Sequence, residues 1–232
     1  FGNGLRARAS YGEGFKAPSL FQLLSDYGNA NLKPETSKAY DVGLEYDGKG
    51  NGLYASVSLF RRDTRNLIDY VSCWGVTTGI CAARPNGTYD NIGKTRAEGV
   101  EVELRYALTP TLSAQGVWSH VKARDKTPGS FTQGNALARR PRNTGSFSLD
   151  WAAPHGVALG ADLRIVGPSF DDAWNTTRLH GYAIADLRVS VPVTERIELF
   201  GRIENLWDED YQSAAGYGTQ GRAGFVGARL RM

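Results

Sequence analysis

Along ten separate stretches of this 232-residue chain, apolar side chains take every second position and polar ones fill the gaps. That is the period of a strand whose two faces meet different surroundings. The pattern predicts strands over 5–11, 40–46, 53–60 with a continuation toward Leu67 and Ile68, 100–106, 112–119, 146–151, 157–165, 185–191, 197–204 and 225–232. In the last of these, Val226, Ala228, Leu230 and Met232 share one face, and Phe225, Gly227, Arg229 and Arg231 share the other. The connections alternate too. Segments 12–37, 71–93, 122–141, 168–181 and the one from Asn205 to the last strand are long, whereas 47–52, 108–110, 153–156 and 191–195 are tight turns.

Strict alternation of long and short connections predicts an up-and-down antiparallel sheet with its long loops at one end. The polar face decides what that sheet encloses. It carries Glu101, Glu103, Arg105, Asp162, Arg164, Asp186, Arg188 and Arg202. A β-sandwich buries apolar faces against each other and leaves polar ones to water. A membrane barrel puts its apolar face toward lipid and its charged face toward a hydrated or plugged lumen. The expected fold class is therefore all-β, an antiparallel transmembrane β-barrel segment of about ten strands; a soluble carbohydrate-binding sandwich is the competing architecture.

Composition changes that picture little. An apolar content of 41% and a mean hydropathy of -0.37 would suit a soluble protein. No stretch reaches the roughly 18 apolar residues of a membrane helix, but a barrel needs none, because only alternate residues meet lipid. Eleven Tyr, 5 Trp and 28 Gly fit interface girdles and turns. The 27 basic and 24 acidic residues are mixed along the chain, which excludes a nucleic-acid patch. Cys73 and Cys81 lie in one expected loop, and a local disulfide in an oxidising compartment is the expected pairing.

Several motifs occur in order: Gly14-Phe15-Lys16-Ala17-Pro18-Ser19-Leu20, Tyr27-Gly28-Asn29, Asn31-Leu32-Lys33-Pro34-Glu35, Asn66-Leu67-Ile68-Asp69-Tyr70, Arg96-Ala97-Glu98-Gly99-Val100-Glu101 and Asn205-Leu206-Trp207-Asp208-Glu209-Asp210-Tyr211. Together they resemble TonB-dependent outer-membrane receptors. Within that family, Tyr27-Gly28-Asn29 and the segment from Gly216 to Arg222 look most like cobalamin (vitamin B12) receptors. The resemblance implies a barrel of about 22 strands. Residues 1–232 would be its C-terminal portion, with the plug domain and earlier strands upstream. It also implies a location in the bacterial cell outer membrane and active import of a large scarce nutrient, cobalamin first and a ferric-siderophore or other metal chelate second. TonB would act through the plug, and the other partners would be outer-membrane lipid and the barrel-assembly machinery. Neither enzymatic activity nor a cofactor is implied for this segment. Asn205, Leu206, Asp208 and Tyr211 match the family's loop motif, and Gly227, Leu230 and Met232 match its terminal assembly signal, with Met232 where an aromatic usually stands. Arg139 and Tyr217 match ligand-facing positions; Arg140 and Trp174 add a fork-like donor and an aromatic face at the expected outer rim.

Other chemistry is sparse. Gly216-x-Gly218-x-x-Gly221 spells a dinucleotide fingerprint, but a loop precedes it and a strand follows, where the fingerprint needs a strand and then a helix. His120, His155 and His180 lie on three connections without metal-site spacing, so no metal is expected. Ser119-His120 is a nucleophile and base pair by adjacency alone, and it defines the reading of another class, a small outer-membrane barrel enzyme. Asn86-Gly87-Thr88 and Asn175-Thr176-Thr177 are formal glycosylation sequons.

Overall fold

The computed structural model describes residues 3–48, 50, 52–71, 73, 75, 77–82 and 84–230. Strands β1 (Leu5–Lys16), β2 (Glu35–Asp47), β3 (Leu53–Val71), β4 (Thr88–Thr109), β5 (Leu112–Asp125), β6 (Asn143–Ala152) and β7 (Ala158–Val166) follow one another, with helix α1 (Leu20–Leu24) between the first two. A hairpin of β8 (Ser169–Phe170) and β9 (Arg178–Leu179) comes next, then β10 (Tyr182–Pro192), β11 (Ile197–Glu204) and β12 (Ala223–Leu230). Ten of these form one antiparallel sheet in the order β1-β2-β3-β4-β5-β6-β7-β10-β11-β12, and β8 pairs only with β9. Each strand of the sheet lies beside its neighbour in sequence, apart from that inserted hairpin. Among the described residues, β1 and β12 are paired on one side only. Arg231 and Met232, the end of the expected last strand, lie outside the described residues.

The register keeps the apolar face continuous. Starting at Leu5, the first residue of β1, the row of facing residues runs through Tyr46, Ala55, Leu104, Gly116, Phe147, Leu163 and Ala185. Leu5 is beside a short turn, whereas Ala185 is three residues from the long-loop end of β10. A row perpendicular to the strands thus climbs from one end of the sheet to the other. This is the stagger of a tilted barrel wall. Tyr46, Tyr106 and Trp151 stand outward near the short-turn end, and Tyr11 and Tyr40, with ring centroids 5.0 Å apart, stand near the other. Between these two aromatic levels the outward face is mostly Val, Leu, Ile, Ala and Gly, with Trp118 and Phe147 among them, and includes an open apolar hollow of about 780 Å³ around Leu149, Trp151, Ala161, Leu187 and Gly201.

The inward face is a ladder of charges. Arg8 meets Glu45 at 3.3 Å, Arg105 meets Glu103 at 2.8 Å, and Arg229 meets Glu198 at 2.9 Å. Gly160 lies between Asp150 and Arg188 in register, and a Cβ there would fall 2.3 Å from the Arg188 guanidinium. Its bare backbone lets Arg188 lie across and reach both Asp150 and Asp162. Arg105 stacks on Tyr54 at 4.3 Å and Arg202 on Phe225 at 4.4 Å, so the aromatics of this face serve its cations.

Five strands outrun the sequence expectation. β1 to β5 extend 12 to 22 residues, and 88–93 is strand rather than loop. The alternation ends before the strands do, because above Tyr11 and Tyr40 the outward positions become charged: Glu13, Lys38, Arg61, Asp63, Arg96 and Glu98. Helix α1 also went unanticipated, although its signal was present. Ser19 accepts from the Gln22 N–H at 3.2 Å while the Gln22 side chain accepts from the Ser19 N–H at 2.9 Å, a capping box directly after a proline.

Buried residues are few; Ser58 and Glu198 are buried on the inward face, and most of the others lie at the bases of the loops. One cluster comprises Asn29, Leu32, Ile68, Cys73, Cys81 and Thr88; the other comprises Leu179, Ile184, Ala185 and Asn205. In the first, Cys73 and Cys81 form a disulfide with Cα atoms 5.3 Å apart. Asn29 donates to the Tyr89 carbonyl at 3.1 Å, and Asn91 exchanges bonds of 2.7 and 2.8 Å with the Lys33 backbone. The motif residues Asn29, Lys33 and Glu35 thus pin the β1–β2 connection to the β3–β4 hairpin, within which the Asn66 carbonyl accepts from Asn91.

Candidate functional site

Three long connections gather at the outer end of the C-terminal half: 126–142, 167–181 and 205–222. Loop backbone that leaves a sheet has to find hydrogen-bond partners elsewhere. Here Asn and Asp side chains supply them. Asn175, at φ 59°, accepts from the Ala136 N–H and donates to the Ala136 carbonyl, both at 2.9 Å, so one amide replaces a missing strand neighbour. Asn135 donates to the Ala173 carbonyl at 3.0 Å. Asp172 accepts from the Thr177 N–H at 2.6 Å, which holds its carboxyl below the usual range. The amide of Asn175 is therefore engaged in the loop frame, and the hydroxyl of the other formal sequon, at Thr88, is fully buried.

Arg139 and Asp171 join all three connections. The Arg139 N–H donates to the Phe170 carbonyl at 2.6 Å, and its guanidinium grips Asp171 through bonds of 2.7 and 3.3 Å. Asp171 also accepts from the Ala215 N–H at 3.1 Å. The Arg139 bonds first, and the Ala215 N–H second, hold the Asp171 carboxyl below the usual carboxylate range. The guanidinium of Arg139 is therefore occupied within the protein, while among the described residues the Arg140 guanidinium hydrogen-bonds only to the Arg139 carbonyl, at 3.4 Å.

Around this node stands an aromatic rim. Trp174 stacks with Phe131 at 6.2 Å, and Trp174, Phe131 and Tyr217 are 61%, 92% and 71% exposed. The structure brings Arg139, Arg140 and Trp174 onto the two joined connections 126–142 and 167–181, and Tyr217 onto the third. Phe131 and Asp171 were not singled out by sequence, and Asn175 was singled out only as the start of a formal sequon. A lone Phe in a polar loop and an Asp-Asp pair give no periodic signal, and the sequon at position 175 says nothing of the turn that its Asn side chain braces.

The loop motif has a structural explanation. Asn205, 3% exposed at φ 50°, donates its amide to the Glu209 carbonyl at 2.9 Å, accepts from the Glu209 N–H at 2.8 Å, and gives its own N–H to Asp186 at 2.8 Å. The Leu206 N–H donates to the Ala185 carbonyl at 2.7 Å, and Asp208 accepts from the Arg222 N–H at 2.7 Å. Tyr211 packs on Tyr182 with centroids 4.2 Å apart. Arg164, Asp186, Asn205, Tyr211 and Gln220 line an open polar hollow of about 340 Å³ beside this turn. In the last strand, the Phe200 ring occupies the space a Cβ on Gly227 would need, at 2.4 Å, and Leu230 faces outward opposite Ile197. Met232 lies outside the described residues.

Ser119 and His120 are adjacent on β5 and therefore point to opposite faces. His120 bonds to Asn143 at 2.8 Å and stacks near Trp118, so it is not placed to take a proton from Ser119. Gly216, Gly218 and Gly221 lie in the last long loop with no helix after them, which removes the dinucleotide reading.

Comparison with known proteins agrees with this architecture. The family described as TonB dependent receptor-like, beta-barrel matches residues 1–206. A ferric enterobactin receptor variant of Pseudomonas aeruginosa, solved with enterobactin, superposes with a TM-score of 0.77 at 25% identity, covering 97% of this chain and 38% of that one. A ferric citrate transporter gives 0.78 at 22% identity, with 98% and 36% covered, and a copper transporter gives 0.78 at 18%, with 99% and 38% covered. This chain thus spans little more than a third of the proteins it matches. Its sheet, its connections and the family match agree: the chain belongs to the TonB-dependent receptor β-barrel family.

Proposed function

We propose that the chain forms part of the wall and outer vestibule of a TonB-dependent outer-membrane transporter, and that the cargo is a metal chelate of the ferric-siderophore class. The observation that carries the reading is the rim itself. Arg139 and Asp171 join three connections, and Trp174, Phe131 and Tyr217 stand exposed on the joined loops that also carry Arg140, whose guanidinium bonds to the Arg139 carbonyl at 3.4 Å. Flat aromatic faces and a cationic fork suit a large, anionic, aromatic-rich chelate. The similar receptors for ferric enterobactin and ferric citrate favour this cargo over cobalamin, which rests on the two short loop patterns alone. Energy would arrive from TonB through a plug against the charged inner wall.

Intrinsic fluorescence of the full-length receptor provides the test. Ferric catecholate or ferric citrate should quench it at low concentration, with cyanocobalamin inert, and Arg140→Ala with Trp174→Ala should weaken the quenching. Tight cyanocobalamin binding with indifference to iron chelates would reverse the assignment.

A further inference from the structure

The last long connection is fastened unevenly. Its base is closed: the Thr219 hydroxyl donates to the Tyr211 carbonyl at 2.6 Å, the Asn205 amide donates to the Gln220 carbonyl at 3.4 Å, and Tyr211 packs on Tyr182. The part between, 212–219, is braced mainly from within. The Tyr217 N–H donates to the Ala214 carbonyl and the Gly216 N–H to the Gln212 side chain, both at 3.2 Å. Among the described residues, one hydrogen bond ties this part to another connection, the 3.1 Å bond from the Ala215 N–H to Asp171. A Cβ on Gly216 or Gly218 would meet nothing within 4 Å, so the tip stands clear of its surroundings. Closed ends and a free-standing tip describe an Ω-loop held at a single point.

That point depends on Arg139. The Asp171 oxygen that receives the Ala215 N–H also receives the Arg139 Nε, at 2.7 Å. Arg139 first and Ala215 second favour the charged form of Asp171, while the neighbouring Asp172 opposes it. Without Arg139, Asp171 would be a carboxylate only 17% exposed, facing Asp172. Turning out to water would relieve that repulsion and take it away from Ala215. The Arg139 side chain is 53% exposed and adjoins Arg140, so an anion from outside can reach it. We propose that 212–219 is a lid latched by Asp171, and that an anionic group of the cargo releases it by taking the Arg139 guanidinium. The cargo meets the whole guanidinium fork only in the open state. A ligand shifts an equilibrium only through such a difference in affinity between two states. The inference rests on the anionic chelate proposed above as cargo and adds the part that moves when it binds.

A nitroxide on Gly218→Cys in the full-length receptor reads the lid, because a Cβ fits there without contact. Gallium(III) tris-catecholate serves as the probe, since, unlike the ferric complex, it does not broaden the nitroxide spectrum. Its binding is followed separately by tryptophan fluorescence. The label should be held in the free receptor and become mobile as the complex saturates it. Asp171→Ala should give a mobile label without the complex and bind the complex at least about fivefold tighter, the low end of coupling between linked sites. Arg139→Gln should also free the label but bind the complex more weakly. A merely structural junction would weaken binding in both variants, and that result would overturn the latch. So would a complex that binds while the label stays held, which leaves the cargo class standing. A receptor that binds no such complex would remove the cargo class and, with it, the release proposed here.

Discussion

Strands β1 to β5 and the strands from β6 onward share one apolar belt and one charged inner face, yet they build upward from the belt by different means. The first five continue as sheet, with β3 and β4 reaching 19 and 22 residues. The later strands of the sheet, 8 to 11 residues long, stop at the belt and give way to loops. In the projecting half, ladder hydrogen bonds satisfy the backbone, and side chains are free to become charges on the outer face. In the other half, side chains such as Asn175 and Asn205 are consumed in satisfying loop backbone, and the exposed remainder forms an aromatic rim. Height gained through strands yields an outer charged wall, whereas height gained through loops yields an inner recognition surface.

The sharpest way to break this comparison is at the belt boundary. Leu187→Arg, at mid-belt on β10, should cost about 2–4 kcal/mol of folding stability in lipid, whereas Arg61→Leu just above the belt should cost less than about 1 kcal/mol. Urea titration in vesicles measures both, and equal penalties would erase the boundary. Next in size is Asn205→Ala, which leaves Glu209 backbone groups without partners in a site 3% exposed and forces alanine to φ 50°. A loss of about 1–3 kcal/mol is expected from the unmet hydrogen bonds.

A smaller and local effect is expected at Asn175→Ala, about 1 kcal/mol confined to the loops. Hydrogen exchange should quicken over 126–142 and stay unchanged in β3 and β4; a uniform change would mean that the loops and the projecting strands open as one unit. The smallest effect concerns pH. Asp171 titrates below its ordinary value of about 3.8, so its tie to Arg139 is fully present above that value and is lost as pH falls through the depressed one. Trp174 fluorescence should therefore be flat from neutral pH down to about 4 and change only below it. A transition near pH 6 would assign the response to a histidine instead.

Much of the sheet could be read from the chain because period two is a local property. Ala7, Val42, Val57 and Leu104 announce their face through their immediate neighbours, and all ten strands of the sheet could be placed. The projecting parts were not legible for the same reason. Once Arg61, Asp63, Arg96 and Glu98 occupy outward positions, both faces are polar, the alternation vanishes, and only pairing with the neighbouring strand keeps the chain extended. The candidate site was half visible. Arg140, Trp174 and Tyr217 could be named as exposed recognition chemistry, but the commitment of Arg139 to Asp171, residues 32 apart in the chain, is a contact made by folding.

By itself, then, the sequence determined the strand period, the order of long and short connections, and the division into an apolar and a charged face. Tertiary structure decided which charges cancel and which loop side chains are spent on backbone. Those outcomes depend on register and on distances between segments far apart in the chain, and a local pattern contains neither.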